Sequence, residues 1–539
     1  MYTKEIMMEI RRLRNALNDT HDDSRAGFSI LKFDAPERDI ISVDPMRWVF
    51  CVDRSGSMSL ISEKDNKSRL DHVKSTLIKI VEYLKDLCIQ DERRLYLIDV
   101  IWFNGSITTS HIKINSSRDI TAFIKEINDV TSSGMTNMCE AIRKASQIIT
   151  RSPRMKSNMV VLSDGEITSG ISEPEYILKS VNESNQYLVQ DFTAVFVGYG
   201  TEQSSNLLSI LAKTPNGEYH CVESAEGAGI VYGEIVHSSL YQSIKDMNLE
   251  VIGGQIYDYD KNIWSNSLLI GKIAGGLSRV WHLHHDLEPE TPLSVKATYN
   301  SYCISDEGDS WIKMESVSPA VISPDVGSID KECYQYYLRQ QVLELLAESK
   351  EYTTKVNDFA MRITPPPAPR IRRQPANTLP FYESVEINTH QLYSDHQSTG
   401  EDLFEPPPIL GSVRVGAVKA NNSPAVSPPE SPGQILRKKL LCKMEEIKSY
   451  INEEGDDSGM LGTLCDDLYV CALALKSTRG LTYILARQAS QGNQRAYNAT
   501  GTDYLEDDTN TGHEMSCNMV SPYASQQAEK IIREVSAPF

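Results

Sequence analysis

Two hydrophobic periods divide this chain, and they change over near residue 245. Before that point, short continuous apolar runs alternate with stretches of helical spacing. Residues 48–52, 95–103, 159–162, 192–197 and 218–222 read as buried strands, and 107–114, which alternates, as an edge hairpin. Between them Leu70, Val73, Leu77, Ile80, Val81, Leu84 and Leu87 step by three and four residues, the spacing of one helix face. The same spacing recurs over 120–127, 141–149 and 230–240. Strands apolar along their whole length, alternating with helices, predict a mainly parallel sheet covered on both faces, an α/β doubly wound unit.

From about 249 to 317 the pattern becomes short alternation punctuated by Gly, Asn and Pro, which predicts an antiparallel β-sandwich. The early stretch 28–41 alternates in the same way and is expected to supply the first strand, so that the α/β unit is an insertion in the sandwich. Tyr334, Leu338, Val342, Leu345 and Leu346 mark a helix before residue 363, and 435–451 and 460–488 read as helices. The intervening 364–434 holds roughly half of the chain's 24 prolines and reads as an extended linker.

The expected organisation is therefore a helical segment over 1–26, first sandwich strands over 27–46, the α/β unit over 47–243 and the sandwich over 244–325. A helical segment over 326–363, the linker over 364–434, and a helical C-terminal region over 435–539 with a weakly ordered polar tail complete it. The helices flanking the linker are expected to pack together or mediate assembly.

Composition narrows the function classes. With 54 basic and 73 acidic residues the net charge is −19, which argues against nucleic acid as the main partner. No apolar run reaches the roughly 18 residues of a membrane span. The N-terminal stretch lacks the apolar core and small-residue cleavage site of a secretory signal. Ten scattered cysteines show neither C-x-x-C nor zinc spacing. Buried reduced thiols, and hence a cytoplasmic, reducing compartment, are the expectation. There is no P-loop, no G-x-S-x-G elbow and no nucleophile–base arrangement, so the expectation is a non-enzymatic protein.

The chemistry lies in three loops. Asp53-Arg54-Ser55-Gly56-Ser57-Met58 leaves the carboxyl end of the first α/β strand, the edge where open α/β sheets bind ligands. Thr136, in Ser133-Gly134-Met135-Thr136-Asn137, opens a helix, and Asp164, in Leu162-Ser163-Asp164-Gly165, closes a strand. Two carboxylates and three hydroxyls suit a small hard cation, Mg²⁺ first, with Mn²⁺ or Ca²⁺ as alternatives. Gly56 and Gly134 are expected to let the backbone turn closely around it.

These loops, in this order, resemble the von Willebrand factor type A (vWA) domain and its metal-ion-dependent adhesion site. The resemblance implies Asp53, Ser55, Ser57, Thr136 and Asp164 as metal ligands, with the metal taking an acidic residue of a protein partner. The wider order of domains is similar to multidomain intracellular vWA proteins, without their RING or intein-like modules. Arg54 departs from the family pattern, which favours small or apolar residues there, and is expected to point outward. Other readings are a structural component of a large cellular or viral assembly using the same face as a fixed interface, and an adaptor in a ubiquitin or protein-processing system. Homo- or hetero-oligomers fit either. His282, His284 and His285 are expected on a wet sandwich face and not at a metal, and Cys139 as a buried small residue.

Overall fold

The computed structural model describes residues 7–13, 27–35, 43–61, 66–152, 154–164, 166–186, 192–200, 205–214, 216–222, 225–285, 292–305, 308–319, 330–363, 430–477, 479–495, 505–507, 509, 511–515 and 521–536. The chain starts with two sandwich strands, β1 (Met7–Arg12) and β2 (Phe28–Asp34). It then leaves for the α/β unit: β3 (Met46–Asp53), α1 (Arg69–Gln90), β4 (Tyr96–Phe103), β5 (Ile107–Ile114), α2 (Thr121–Asn128), α3 (Met138–Thr150), β6 (Lys156–Ser163), α4 (Pro174–Gln186), β7 (Phe192–Tyr199), α5 (Ser205–Leu211), β8 (Gly217–Val222) and α6 (Ala225–Leu240).

The six-stranded sheet has the order β5-β4-β3-β6-β7-β8. Only β5, the edge strand, runs antiparallel to its neighbour. Every residue of β3 is buried, as its apolar WVFCV run requires of a central strand. Strand order reverses at β3, because β4 lies on one side of it and β6 on the other. The crevice at the carboxyl ends of β3 and β6 is thus the topological switch point of the sheet. Asp53 ends β3, and Asp164 follows β6.

The chain returns to the sandwich with β9 (Gln242–Ile252), β10 (Gln255–Asp258), β11 (Ile263–Ser265), β12 (Ser267–Ala274), β13 (Ser278–His284), β14 (Ser294–Ser305) and β15 (Gly308–Pro319). Its two antiparallel sheets are β1-β2-β13-β10-β11 and β12-β9-β14-β15. Ile10, Leu31 and Phe33 from the first meet Ile244, Leu249, Val295 and Ala297 from the second in one core. The α/β unit is inserted between β2 and β9, as the sequence pattern implies.

Four observations correct the sequence reading. The helix expected over 1–26 is, where described, the strand β1, paired with β2 from Met7↔Asp34 to Arg12↔Ser29. Ile6, Ile10 and Leu13 step by four and three residues, a helical period; pairing at the open edge of β2 and burial of Ile10 make this stretch a strand. His282 does not lie on a wet face. It is 2% exposed, with Nδ1 2.6 Å from Gln340 Oε1 and Nε2 3.0 Å from Arg339 Nη1, under the helix α7 (Lys331–Ile363). Burial and the neighbouring Arg339 guanidinium hold its pKa well below the usual histidine range. Two helices, α4 and α5, were not read from the sequence. Finally, the linker expected over 364–434 ends early: α8 (Pro432–Glu454) begins with Ser431 and Gln434 closing a reciprocal N-terminal cap. Residues 364–429 lie outside the described residues.

The helices on either side of the linker do pack together. Leu338, Val342 and Leu346 of α7 share a core with Leu436, Leu440 and Met444 of α8 and with α9 (Met460–Ala474). The last two helices are built into the α/β unit: Leu481 and Leu485 of α10 (Gly480–Gly492) and Ile531, Ile532 and Val535 of α11 (Gln526–Ser536) join its core. Gly229 and Gly233 make the α11 contact possible. A Cβ at Gly233 would lie 2.7 Å from Ile532 Cα, and one at Gly229 2.3 Å from Ser536 Oγ. Ile532→Ala is expected to lower stability by about 2–4 kcal/mol, read as a shift of the urea midpoint.

Candidate functional site

Asp53 is wholly buried at the end of β3 and held on both oxygens. The Ser55 backbone N–H donates to Oδ1 at 2.8 Å, and the Ser163 hydroxyl donates to Oδ2 at 2.6 Å. Burial raises the pKa of Asp53 to about 6; the bonds from Ser163 and Ser55 oppose that rise and the charge of Asp164 adds to it. After Asp53 the chain turns through a short 3-10 helix, Gly56–Ser59, pinned by the fully buried Met58. This turn leaves Ser55 buried and Ser57 half-buried, with their hydroxyl oxygens 3.1 Å apart.

Backbone bonds draw the second loop against the first. Gly56 N–H donates to Gly134 C=O at 3.1 Å, and Ser133 N–H to Arg54 C=O at 2.7 Å. Gly134 has φ +82°, which favours glycine, and the Asn104 side chain sits against its Cα while donating to Ser133 C=O at 2.7 Å. Thr136 is buried, and its N–H donates to the Thr168 hydroxyl at 2.8 Å. Asn137 then caps α3 by accepting from Glu140 N–H.

Asp164 is buried directly after β6. Its Oδ2 lies 3.5 Å from Arg69 Nη1, while its Oδ1 is shielded from solvent and has no hydrogen-bond partner. A buried carboxylate oxygen without a donor is costly unless something positive completes it. Among the described residues no three His, Cys, Asp or Glu side chains gather to hold a metal, so a cation here would depend on the hydroxyls as well as the two carboxylates. That set, all oxygen with two formal charges, fits a small hard divalent ion.

The structure thus brings the loops of all five sequence-predicted residues to one sheet edge. Arg54 is half-buried, with Nε shielded from solvent and without a hydrogen-bond partner. Ser163, Thr168, Asn104 and Arg69 were missed. Ser163 adjoins Asp164 in the same motif and was in principle legible; Arg69 carries no sequence signal beyond opening a helix. Cys139 is buried, as expected.

Residues 49–231 match the family model described as von Willebrand factor type A domain. The chain is 25% identical over 281 residues to inter-alpha-trypsin inhibitor heavy chain H3 of Bos taurus, covering 45% of this chain and 29% of the relative. It is 26% identical over 186 residues to the Mus musculus protein of the same name, covering 33% and 19%. It thus spans less than a third of the length of these relatives. Among solved structures it is similar to a von Willebrand factor type A protein from Catenulispora acidiphila (TM-score 0.41, 14% identity, 65% of this chain and 82% of that one). It is also similar to the ArnB paralog VWA2 from Sulfolobus acidocaldarius (TM-score 0.37, 15% identity, 66% and 87%).

Proposed function

We propose that this chain, whose residues 49–231 match the von Willebrand factor type A domain model, is a non-enzymatic protein-interaction module whose switch-point loops bind a divalent cation, Mg²⁺ first, and through it an acidic residue of a protein partner. Asp53 and Asp164 supply the charge, and Ser55, Ser57 and Thr136 supply neutral oxygens directly or through water. When bound, the ion offers a positive charge and a free coordination position to a carboxylate oxygen. The observation that carries this reading is the unpartnered, buried Oδ1 of Asp164 beside a second buried carboxylate.

The chain's own residues prepare the site. Ser163 and the Ser55 N–H orient Asp53, and Thr168 and Asn104 fix the backbone that carries Thr136. Leu60, Ile61 and Met135 are 47%, 62% and 54% exposed on or beside these loops, apolar surface of the kind that protein interfaces cover. No helix among the described residues is long and apolar enough to cross a membrane. The nine described cysteines are free thiols, eight of them buried.

Affinity capture with the full chain tests the proposal. A partner retained in Mg²⁺ should be lost in EDTA and lost equally with Asp53→Ala. Retention by the variant in either condition would replace the metal-dependent reading with a fixed interface.

A further inference from the structure

One cation is already seated at this site. Arg69 opens α1, where the Ser68 hydroxyl accepts from Asp71 N–H and the Asp71 carboxylate accepts from Ser68 N–H. Its own N–H donates to Leu60 C=O at 3.0 Å, which fixes its backbone beside the metal loop. The side chain reaches across to the end of β7. Gly200 there has φ +77° and no side chain; a Cβ would lie 2.5 Å from Arg69 Nη2 and 2.9 Å from Cζ. The guanidinium occupies the space that Gly200 leaves, with Nη1 3.5 Å from Asp164 Oδ2 and the side chain 21% exposed. It therefore answers one oxygen of Asp164 and leaves the other, Oδ1, unpartnered.

We propose that Arg69 is a resident counter-charge of the metal site, which lowers its affinity for a divalent cation and leaves the loaded site with a surplus positive charge for an acidic partner. This rests on the metal-binding reading above. Formal charges give the reason. Two carboxylates and a divalent ion sum to zero, and a loaded site of zero charge attracts a carboxylate weakly. With Arg69 in place the sum is one positive charge. The same charge repels the incoming metal, and it does so in a partly buried place where screening is weak. Gly200 is the structural counterpart: it holds open the position that keeps the guanidinium against Asp164 rather than in solvent. Arg69 acts by its charge beside Asp164, and its place is set by geometry on α1 and at the end of β7.

Calorimetric titration of the full chain with MgCl₂ tests this in four proteins: wild type, Arg69→Gln, Arg69→Lys and Gly200→Ala. Arg69→Gln should bind Mg²⁺ about tenfold more tightly than wild type, the effect of removing one charge near a divalent ion in a partly solvated site. Arg69→Lys keeps the charge and should stay within a few-fold of wild type. Gly200→Ala keeps the arginine but evicts it, and should tighten binding in the same direction as Arg69→Gln. Circular dichroism melts in EDTA establish that each variant is folded; should Arg69→Gln fail to fold, Gly200→Ala decides. Unchanged or weaker Mg²⁺ binding in the deciding variant overturns the proposal, because it would mean that Arg69 only orients Asp164 or plays no part. Absence of Mg²⁺ binding in the wild type itself overturns the metal-site reading instead.

Discussion

Asp53→Ala is expected to abolish the stabilisation that magnesium should give this protein. With free Mg²⁺ at about 100 times its dissociation constant, the wild type should gain about 2.7 kcal/mol of stability by mass action, and the variant nothing. The size of the effect follows from the ligand set. Only two of the five candidate ligands carry charge, so deletion of one removes half of the electrostatic attraction and leaves a single carboxylate among hydroxyls. The substitution also leaves the Ser163 hydroxyl and the Ser55 N–H without their acceptor, while it removes a buried charge from beside Asp164. These metal-free terms oppose one another and are common to both conditions of the variant. The difference between unfolding midpoints in Mg²⁺ and in EDTA therefore isolates the metal. Equal shifts in wild type and variant would remove Asp53 from the site.

The second large effect is on pH dependence in the absence of metal. Asp53 titrates near 6 in the folded chain and close to 4 when unfolded. Between these values the folded chain keeps a proton that the unfolded chain has lost. Asp53 therefore contributes stability that is fully present below about pH 4 and is lost as the pH rises through 6. For a group with no solvent exposure the loss amounts to about 2–3 kcal/mol by neutral pH. The buried His220 and His237 slope the other way. Burial lowers both to about 4, so they stay neutral in the fold while the unfolded chain takes up protons below about 6.5, and their contribution falls as the pH falls. The whole-protein curve mixes these terms, and the difference between wild type and Asp53→Asn separates them. In EDTA, Asp53→Asn should gain on the wild type between pH 5 and pH 7.5. In the same range the proton and the metal compete for Asp53, so Mg²⁺ affinity should fall about tenfold per pH unit below 6. A stability difference between the two proteins that stays flat from pH 5 to 7.5 would show that Asp53 is not strained by its surroundings.

The sheet and the three loops were legible for a physical reason. The middle of a central parallel strand must be apolar, and β3 is from Trp48 to Val52. A ligand edge must carry its polar residues just past such strands, and Asp53 and Asp164 sit there. The insertion of this unit in a sandwich could also be read, because the hydrophobic period changes from one kind of element to the other on both sides of it. What could not be read depends on contacts between distant segments. β1 looks helical until β2 offers it an open edge. His282 looks solvated until α7 covers it. Gly229 and Gly233 have no evident role in α6 until α11 lies across them. Arg69 belongs to the same class: 16 residues beyond Asp53, it lies against Asp164 in the space left by Gly200, the residue after β7.

The most direct test of the central claim is anomalous diffraction from crystals of the full chain grown with MnCl₂. One strong manganese peak is expected at the carboxyl ends of β3 and β6, in contact with side-chain oxygens of the Asp53, Thr136 and Asp164 loops, and no such peak in Asp53→Ala crystals. Well-ordered density for these loops with no peak between them, or a peak that persists in the variant, would contradict it.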